Sequence, residues 1–547
     1  MVAFLNMFAL HLVWLALFAS PVASLSTMTP PPRIIQGGMG IRISSWELAR
    51  EVSKTGELGV ISGSGMDTIF IRGLQLGDPD GAFRRALATF PDQDMVQRAM
   101  DKYFVEGGKD EHAAFKHLPM WSLKPQQSLL EATVLANYCE VWLAKHNDDS
   151  KPTGGLVGMN LLTKVELPTI PSLYGAMLAD VDYIIMGAGI PMAIPGILDN
   201  LAEAQDCVQS IHIEGTLLEN TPEPTLTFSP QDFWEQAGKP ELNKELKRPD
   251  FLPIVSSVVL AQSMLKRASG KGPTKGIDGF VVELNTAGGH NAPPRGAMDL
   301  NEKGEPVYGP KDDVDLTKFQ KAVKGLPFWM AGSYAKPEKF AQVKEIGGAG
   351  VQVGTAFALS QESGMKDETR QRILNELMDH DLEVFTDPVA SPTGFPFKVL
   401  GLEGTLADPA TYEARDRVCN LGYLRNAYVR PDGKIGFRCA SEPVDQFVKK
   451  GGSQEQTEGR KCLCNALCAD AGYPQVYGKT EESFFLEPSL ITIGDDVNNC
   501  RKFIQKDEES GRLGYSSRDV VDYLLSEWKA CEELEGATNA TETLLRP

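Results

Sequence analysis

Past its first two dozen residues the chain has no apolar run of about 18 residues, the length a helix needs to cross a bilayer, so its body does not read as a membrane protein. Positive charge is also short. Lys and Arg number 54 against 73 Asp and Glu, a formal net charge of −19, which speaks against nucleic acid or an anionic membrane surface as partner. A local basic pocket for one phosphate is compatible with that balance. Heptads, a repeat period and long blocks of like charge are all missing. The first strand–helix turn lacks GxGxxG, and no Walker lysine loop occurs, which removes the usual dinucleotide and ATP cradles. What is present is 547 residues, 42% hydrophobic and 23% charged, enough for a large core. Length alone allows roughly two to four domains, or one α/β barrel with an appendage.

The N-terminus differs in kind. Met1 to Ser20 is almost uninterrupted apolar sequence and is followed by Pro21-Val22-Ala23-Ser24, so residues 1–24 are predicted to be a signal or targeting segment. No Lys or Arg precedes the apolar run, which keeps an uncleaved membrane anchor open as the alternative. Either reading points to the secretory pathway or a secondary plastid, with the cytoplasm not excluded.

From Arg33 short apolar runs that end in glycine alternate with helix-length segments. The predicted strands are Ile34-Ile35-Gln36 leading into Gly37-Gly38-Met39-Gly40, then Gly59 to Ser62, Leu156 to Asn160, Tyr183 to Gly189, and Ile211 to Gly215. Leu252 to Val255, Gly279 to Leu284, Pro327 to Ser333 and Gly350 to Thr355 complete the series. So many strands alternating with helices favour a closed (β/α)8 barrel over an open sheet. Residues from about 77 to 147 carry charge and helix formers but no glycine-ended strand, and are read as a helical insertion. The barrel is assigned to residues 33–384, a cysteine-containing C-terminal extension to 385–530 and a disordered tail to 531–547.

The centre of the pattern is Ala287-Gly288-Gly289-His290, closely following the strand Gly279 to Leu284. Two glycines let a backbone come close to a flat or phosphorylated ligand, and the histidine falls at the strand's C-terminal end, where barrels keep their chemistry. Gly332-Ser333 and Gly354-Thr355 follow the last two strands, where barrels commonly seat a phosphate on backbone N–H groups and a helix start. Tight turns alone also ask for such glycines. The three glycine-bearing turns together read as one cradle, and a single phosphate on a barrel suggests FMN.

In order along residues 33 to 375, Ile35-Gln36-Gly37-Gly38-Met39, Gly158-Met159-Asn160, Ala287-Gly288-Gly289-His290, Ala331-Gly332-Ser333 and Gln352-Val353-Gly354-Thr355 resemble the nitronate monooxygenase family, the former 2-nitropropane dioxygenases. Flavin-dependent enoyl-acyl carrier protein reductases are its relatives. The resemblance implies an FMN-binding TIM barrel that oxidises alkyl nitronates with O2 to carbonyl compounds and nitrite. It also implies residue roles. Gly37, Gly38 and Met39 would face the flavin ring, Asn160 would hydrogen-bond it, and Gly288 beside Gly289 would admit it. Gly332, Ser333, Gln352, Val353, Gly354 and Thr355 would hold the phosphate. His290 would be the catalytic base, a neutral imidazole able to take the proton α to a nitro group or to hydrogen-bond a ready-made nitronate.

Departures from the family pattern bear on the substrate. Glu283 stands near the flavin where many relatives carry Gln, so a carboxylate there must be protonated or paired. Ser333 replaces a common glycine. The run Asn291 to Gly296 is longer than the family turn and offers Arg295 as a substrate-binding anion clamp or as a plain surface charge. In the extension, Thr386 to Phe397 reads as a loop packed over the barrel mouth. Beyond it, Cys419, Cys439, Cys462 and Cys464 admit a thiolate site for zinc or an iron–sulfur cluster, disulfides if the chain is exported, or plain core cysteines. Two alternatives to the nitronate reading stand at this point. One is an NAD(P)H-dependent enoyl thioester reductase; the other is a lapsed flavin binder with a metal-binding module.

Overall fold

The computed structural model of the chain describes residues 30–215, 223–478 and 484–526. The predicted targeting segment, Cys531 and the 531–547 tail lie outside them. Eight short strands carry the architecture: β1 Ile34–Gln36, β2 Gly59–Ser62, β3 Val157–Leu162, β4 Tyr183–Gly187, β5 Asp250–Val255, β6 Phe280–Glu283, β7 Phe328–Ala331 and β8 Gly350–Val353. All pairings are parallel, each strand lies beside its sequence neighbour, and β8 returns to β1 with Ile34 opposite Val351. At the last seam, β1 against β2, the Gln36 N–H donates to the Leu58 carbonyl and the Leu58 N–H to the Ile34 carbonyl, both at 3.0 Å. The ring is a TIM barrel.

Alternation along the strands explains why they read as continuous apolar runs. Ile35, Val60, Ile185, Leu252, Val281 and Trp329 fill the barrel interior. Their neighbours Ile34, Ile61, Ile184, Phe251, Val282 and Met330 belong to the larger core outside the ring. Both faces of a parallel strand are covered, so neither can be polar.

Nine strands were expected and eight form the barrel; the surplus is Ile211 to Gly215. Only Ile213–Glu214 pairs there, and its partner is Ala427–Tyr428 of the extension. The preceding Cys207–Ser210 alternates buried with exposed side chains and forms an antiparallel pair with Thr225–Phe228. A strand with one wet face belongs on a surface ribbon, which is where this segment lies.

Between β2 and β3, helices Ala82–Leu87, Gln93–Tyr103 and Gln127–Lys145 occupy most of the stretch read as a helical insertion. The helix after β1, Trp46–Ser53, begins as its sequence suggests, with the Ser45 hydroxyl accepting from the Leu48 N–H. No described helix is long and apolar enough to cross a membrane. The described residues from Arg33 to Ser526 belong to one compact unit. The extension starts with the antiparallel pair Val384–Asp387 and Phe397–Leu400, and this pair is stitched to the loop after β6. Lys398 N–H donates to the Gly289 carbonyl and Asn291 N–H to the Pro396 carbonyl, both at 2.9 Å. Val520, Val521, Leu524 and Leu525 of the last described helical turns are buried, as their helical spacing predicts.

Candidate active site

A cavity of about 210 Å³ opens at the C-terminal ends of the barrel strands. The structure brings to its wall Gly37, Gly38, Met39, Asn160, Glu283, Gly288, Gly289, His290, Gly332, Ser333, Gln352, Val353, Gly354 and Thr355. Every residue predicted to hold the cofactor, together with the histidine, therefore faces one space. The reason is topological: each lies at or just past the end of a barrel strand, and all eight ends point the same way.

Two close approaches fix the turn geometry. A Cβ at Gly38 would overlap Asn160 Cβ, so the loop after β1 lies directly against the end of β3. Gly38→Val is therefore expected to lower stability by about 1–3 kcal/mol, measured by thermal melting. A Cβ at Gly288 would sit 2.9 Å from the backbone carbon of Ile493, so this glycine is already required by packing against the extension. Ser333 adopts a positive φ of 57°, so the turn after β7 has the left-handed conformation that glycine takes most easily.

The electrostatics centre on two side chains. Burial pushes the Glu283 carboxyl up to about 8, so it is protonated at neutral pH and carries a proton to donate. This answers the question raised by a glutamate in place of glutamine: the acid is neutral. Burial pushes His290 down to about 4, so its imidazole is also neutral. Both retain some exposure, but it is exposure to the cavity. The His290 Nε2 is 2.7 Å from the Ser391 hydroxyl, which in turn lies 2.8 Å from the Thr393 hydroxyl. The imidazole also meets the Phe397 ring edge-on, with centroids 4.7 Å apart. Serine and phenylalanine thus hold the ring orientation, and the bond at Nε2 governs which tautomer Nδ1 presents to a ligand.

The phosphate end departs from expectation in one respect. The Thr355 hydroxyl, predicted as a phosphate donor, accepts from the Gly494 N–H at 3.1 Å, so it also ties the extension to the barrel. On the same wall the Gln352 Oε1 is buried without a partner, an acceptor that a bound group with N–H or O–H donors would satisfy.

Residues 237–392 match the family model described as nitronate monooxygenase. This stretch is similar to the nitronate monooxygenase family. The match takes in β5 to β8, the loop bearing His290, and Ser391. A curated relative from Mycobacterium tuberculosis, (3aS,4S,5R,7aS)-5-hydroxy-7a-methyl-1-oxo-octahydro-1H-indene-4-carboxyl-CoA dehydrogenase, is 26% identical over 275 residues, which span 49% of this chain and 67% of that protein. Among solved structures, FabK from Thermotoga maritima aligns over 93% of this chain and 96% of its own at 16% identity, with a TM-score of 0.40. A nitroalkane oxidase from Streptomyces ansochromogenes aligns over 94% and 99% at 14% identity, with a TM-score of 0.37. By its match to the family model the chain is an enzyme, an oxidoreductase.

Several expectations for the barrel are revised by the structure. Arg295 does not reach the main cavity. It lines an adjoining one of about 280 Å³, which shares Glu283, His290, Ala188 and Ile254 with the first. Its guanidinium is held by the carbonyls of Ser256 and Lys311, and its N–H by Asp312. An arginine tied to carbonyls keeps its charge but has little freedom to clamp an anion. Disulfides are also overturned: all eight described cysteines are free. The metal reading of the cysteines fails too, because among the described residues no group of three or more His, Cys, Asp or Glu is arranged to hold a metal ion.

Some wall residues were not visible in the sequence. Ser391, Tyr423, Leu463, Cys464, Thr492 and Asp496 all come from the extension, and all but Ser391 line the main cavity. Tyr423 is anchored by a short hydrogen bond to the buried Asp67 carboxyl. The one available signal was the Pro/Gly-punctuated loop around Ser391, read as covering the barrel mouth. Ser391→Ala is expected to lower kcat/KM by a few-fold with bound flavin unchanged, because it frees the imidazole that Ser391 orients. Steady-state kinetics beside bound-flavin content will check this.

Proposed function

We propose that the protein is an FMN-dependent nitronate monooxygenase that oxidises alkyl nitronates with O2 to carbonyl compounds and nitrite. The observation that carries this reading is that the buried His290 imidazole and Glu283 carboxyl line one largely apolar cavity, where burial favours the neutral form of each. A nitronate is an anion with its charge on two oxygens, and such a group is held in a dry cavity by hydrogen-bond donors that bring no competing negative charge. Glu283 in its acid form is one such donor, and His290 is the other.

The low pKa of His290 refines its role. An imidazole titrating near 4 is a weak base toward a neutral nitroalkane but a good hydrogen-bond donor at any physiological pH. His290 therefore acts chiefly by binding and orienting the ionised nitronate, with Ser391 fixing the ring. A bound anion in the cavity raises the imidazole pKa, which strengthens that bond as the substrate seats.

The residues present fit FMN. Gly37, Gly38, Met39 and Asn160 would form the wall against the ring, and the unpartnered Gln352 Oε1 would take a hydrogen bond from the cofactor. The turns at Gly332-Ser333 and Gly354-Thr355 would receive the phosphate on backbone N–H groups. When bound, the flavin supplies the electron acceptor and the reaction with O2. The adjoining cavity beside Glu283 and His290 gives the substrate's alkyl part a place outside the cofactor site.

The test is oxygen uptake and nitrite release by the purified yellow protein supplied with propionate-3-nitronate and no nicotinamide nucleotide. Activity under those conditions supports the reading. Dependence on NAD(P)H with an enoyl thioester as acceptor would instead establish the reductase.

A further inference from the structure

The second cavity, of about 280 Å³, meets the first at Ala188 and Ile254, and the two share Glu283 and His290. A molecule whose reacting end lies against His290 therefore has a further space open to the rest of it. Much of the wall comes from the long stretch between β6 and helix Leu316–Ala322. That stretch is braced on itself. The Tyr308 hydroxyl donates to the Ala292 carbonyl at 2.9 Å, and Asp312 accepts from the N–H groups of Arg295 and Gly309 at 2.6 and 2.9 Å. Glu305 ties it to the extension by accepting from the Thr386 N–H at 2.9 Å. The wall is thus formed before any ligand arrives, as binding cavities usually are.

The polar groups of this wall are largely paired within the protein. Besides the bonds just named, the Arg295 guanidinium donates to the carbonyls of Ser256 and Lys311, and Asn291 Nδ2 to the Ala287 carbonyl at 3.0 Å. What is left to meet a ligand is mainly apolar: Ile190, Ile254, Leu260, Leu284, Pro293 and Phe395. Ile190 is 54% exposed and marks the outer end. A polar chain would shed its water here with little to replace it, whereas an apolar one gains by leaving water. At roughly 30 Å³ per water-sized group, the space takes about nine such groups.

We infer that the substrate is a medium-chain nitronate whose apolar tail, about nine carbons beyond the reacting carbon, fills this second cavity. The reacting end rests on the nitronate chemistry proposed above; the tail rests on the cavity alone. Short nitronates such as propionate-3-nitronate still react, because their reacting end meets the same His290 and Glu283. Leu260, on helix Val258–Arg267, lines the second cavity and not the first, and it sets how long a tail is accommodated.

The test uses the purified yellow protein and unbranched 1-nitroalkanes from nitroethane to nitrododecane. Oxygen uptake gives kcat/KM for each nitronate. Anaerobic titration of the flavin absorbance with each parent nitroalkane gives a Kd that needs no turnover and no variant. Both are expected to improve roughly fourfold per added methylene and to level off at a tail of about nine carbons. Leu260→Trp should move the levelling to a shorter chain, and Leu260→Ala to a longer one. A flat or falling series in a protein that oxidises short nitronates overturns the inference and leaves the reaction standing. Affinity that climbs and levels in a protein that oxidises no nitronate does the reverse. A climb that never levels, or a levelling point that neither Leu260 variant moves, places the tail outside this cavity and overturns the inference as well.

Discussion

His290→Ala is expected to lower kcat/KM for an alkyl nitronate by roughly 10²-fold while leaving bound FMN unchanged, the scale set by removing one preorganised donor from a developing or resident oxyanion. The imidazole is neutral, is fixed at Nε2 by Ser391 and is backed by Phe397, so its loss removes an oriented contact rather than a mobile one. The same argument sets a substrate preference in the wild type. A histidine held near 4 deprotonates a neutral nitroalkane poorly, so ready-made nitronate should be consumed much faster than the parent nitroalkane at equal concentration. Stopped-flow reduction of the flavin under anaerobic conditions measures both. Equal rates on nitroalkane and nitronate would assign His290 to base catalysis instead.

Glu283 gives the second large effect, and its sign follows from linkage. Its pKa is raised from an ordinary 4.5 to about 8. Below 4.5 the acid is protonated whether the chain is folded or not. Between 4.5 and 8 the unfolded chain gains by ionising this group while the folded one does not. Stability from this group is therefore fully present below about 4.5 and is lost as pH rises to about 8, by roughly 2 kcal/mol or more in a cavity that admits some water. Glu283→Gln keeps a donor of similar shape and removes the titration. The variant is expected to melt several degrees above the wild type at pH 8 and to differ little at pH 4.5, read by calorimetry across that range. Activity should move with it. Above pH 8 the wild type acquires a carboxylate beside an anionic substrate, so its KM for nitronate rises, whereas that of Glu283→Gln stays flat.

The parts of this molecule that could be read from sequence are those whose chemistry is local. β2 and β6 announce themselves because both faces are buried, leaving an unbroken apolar run ending in glycine or a polar residue. The cradle was legible because Gly332 takes φ of +99° and Gly38 has no room for a Cβ, demands that glycine alone meets. Ile211 to Gly215 misled because its apolar residues look like a strand's, while the choice between barrel and surface ribbon rests on partners far along the chain. Ser391 lies 101 residues from His290, and nothing near it in sequence signals that it holds an imidazole. Tyr423, Thr492 and Asp496 were hidden for the same reason. They follow no period and reach the cavity only because the extension folds back over the barrel. The protonated state of Glu283 needed the structure as well, since its cause is the surrounding burial.

The central claim is that one cavity at the strand ends holds FMN and presents neutral donors to a nitronate. The most direct measurement is to mix the purified yellow protein anaerobically with propionate-3-nitronate and follow the flavin absorbance without any nicotinamide nucleotide. The account predicts rapid loss of the oxidised-flavin bands, their return with nitrite release when O2 is admitted, and a roughly hundredfold slower first phase in His290→Ala. Flavin that stays oxidised under nitronate and bleaches only with NAD(P)H would contradict it.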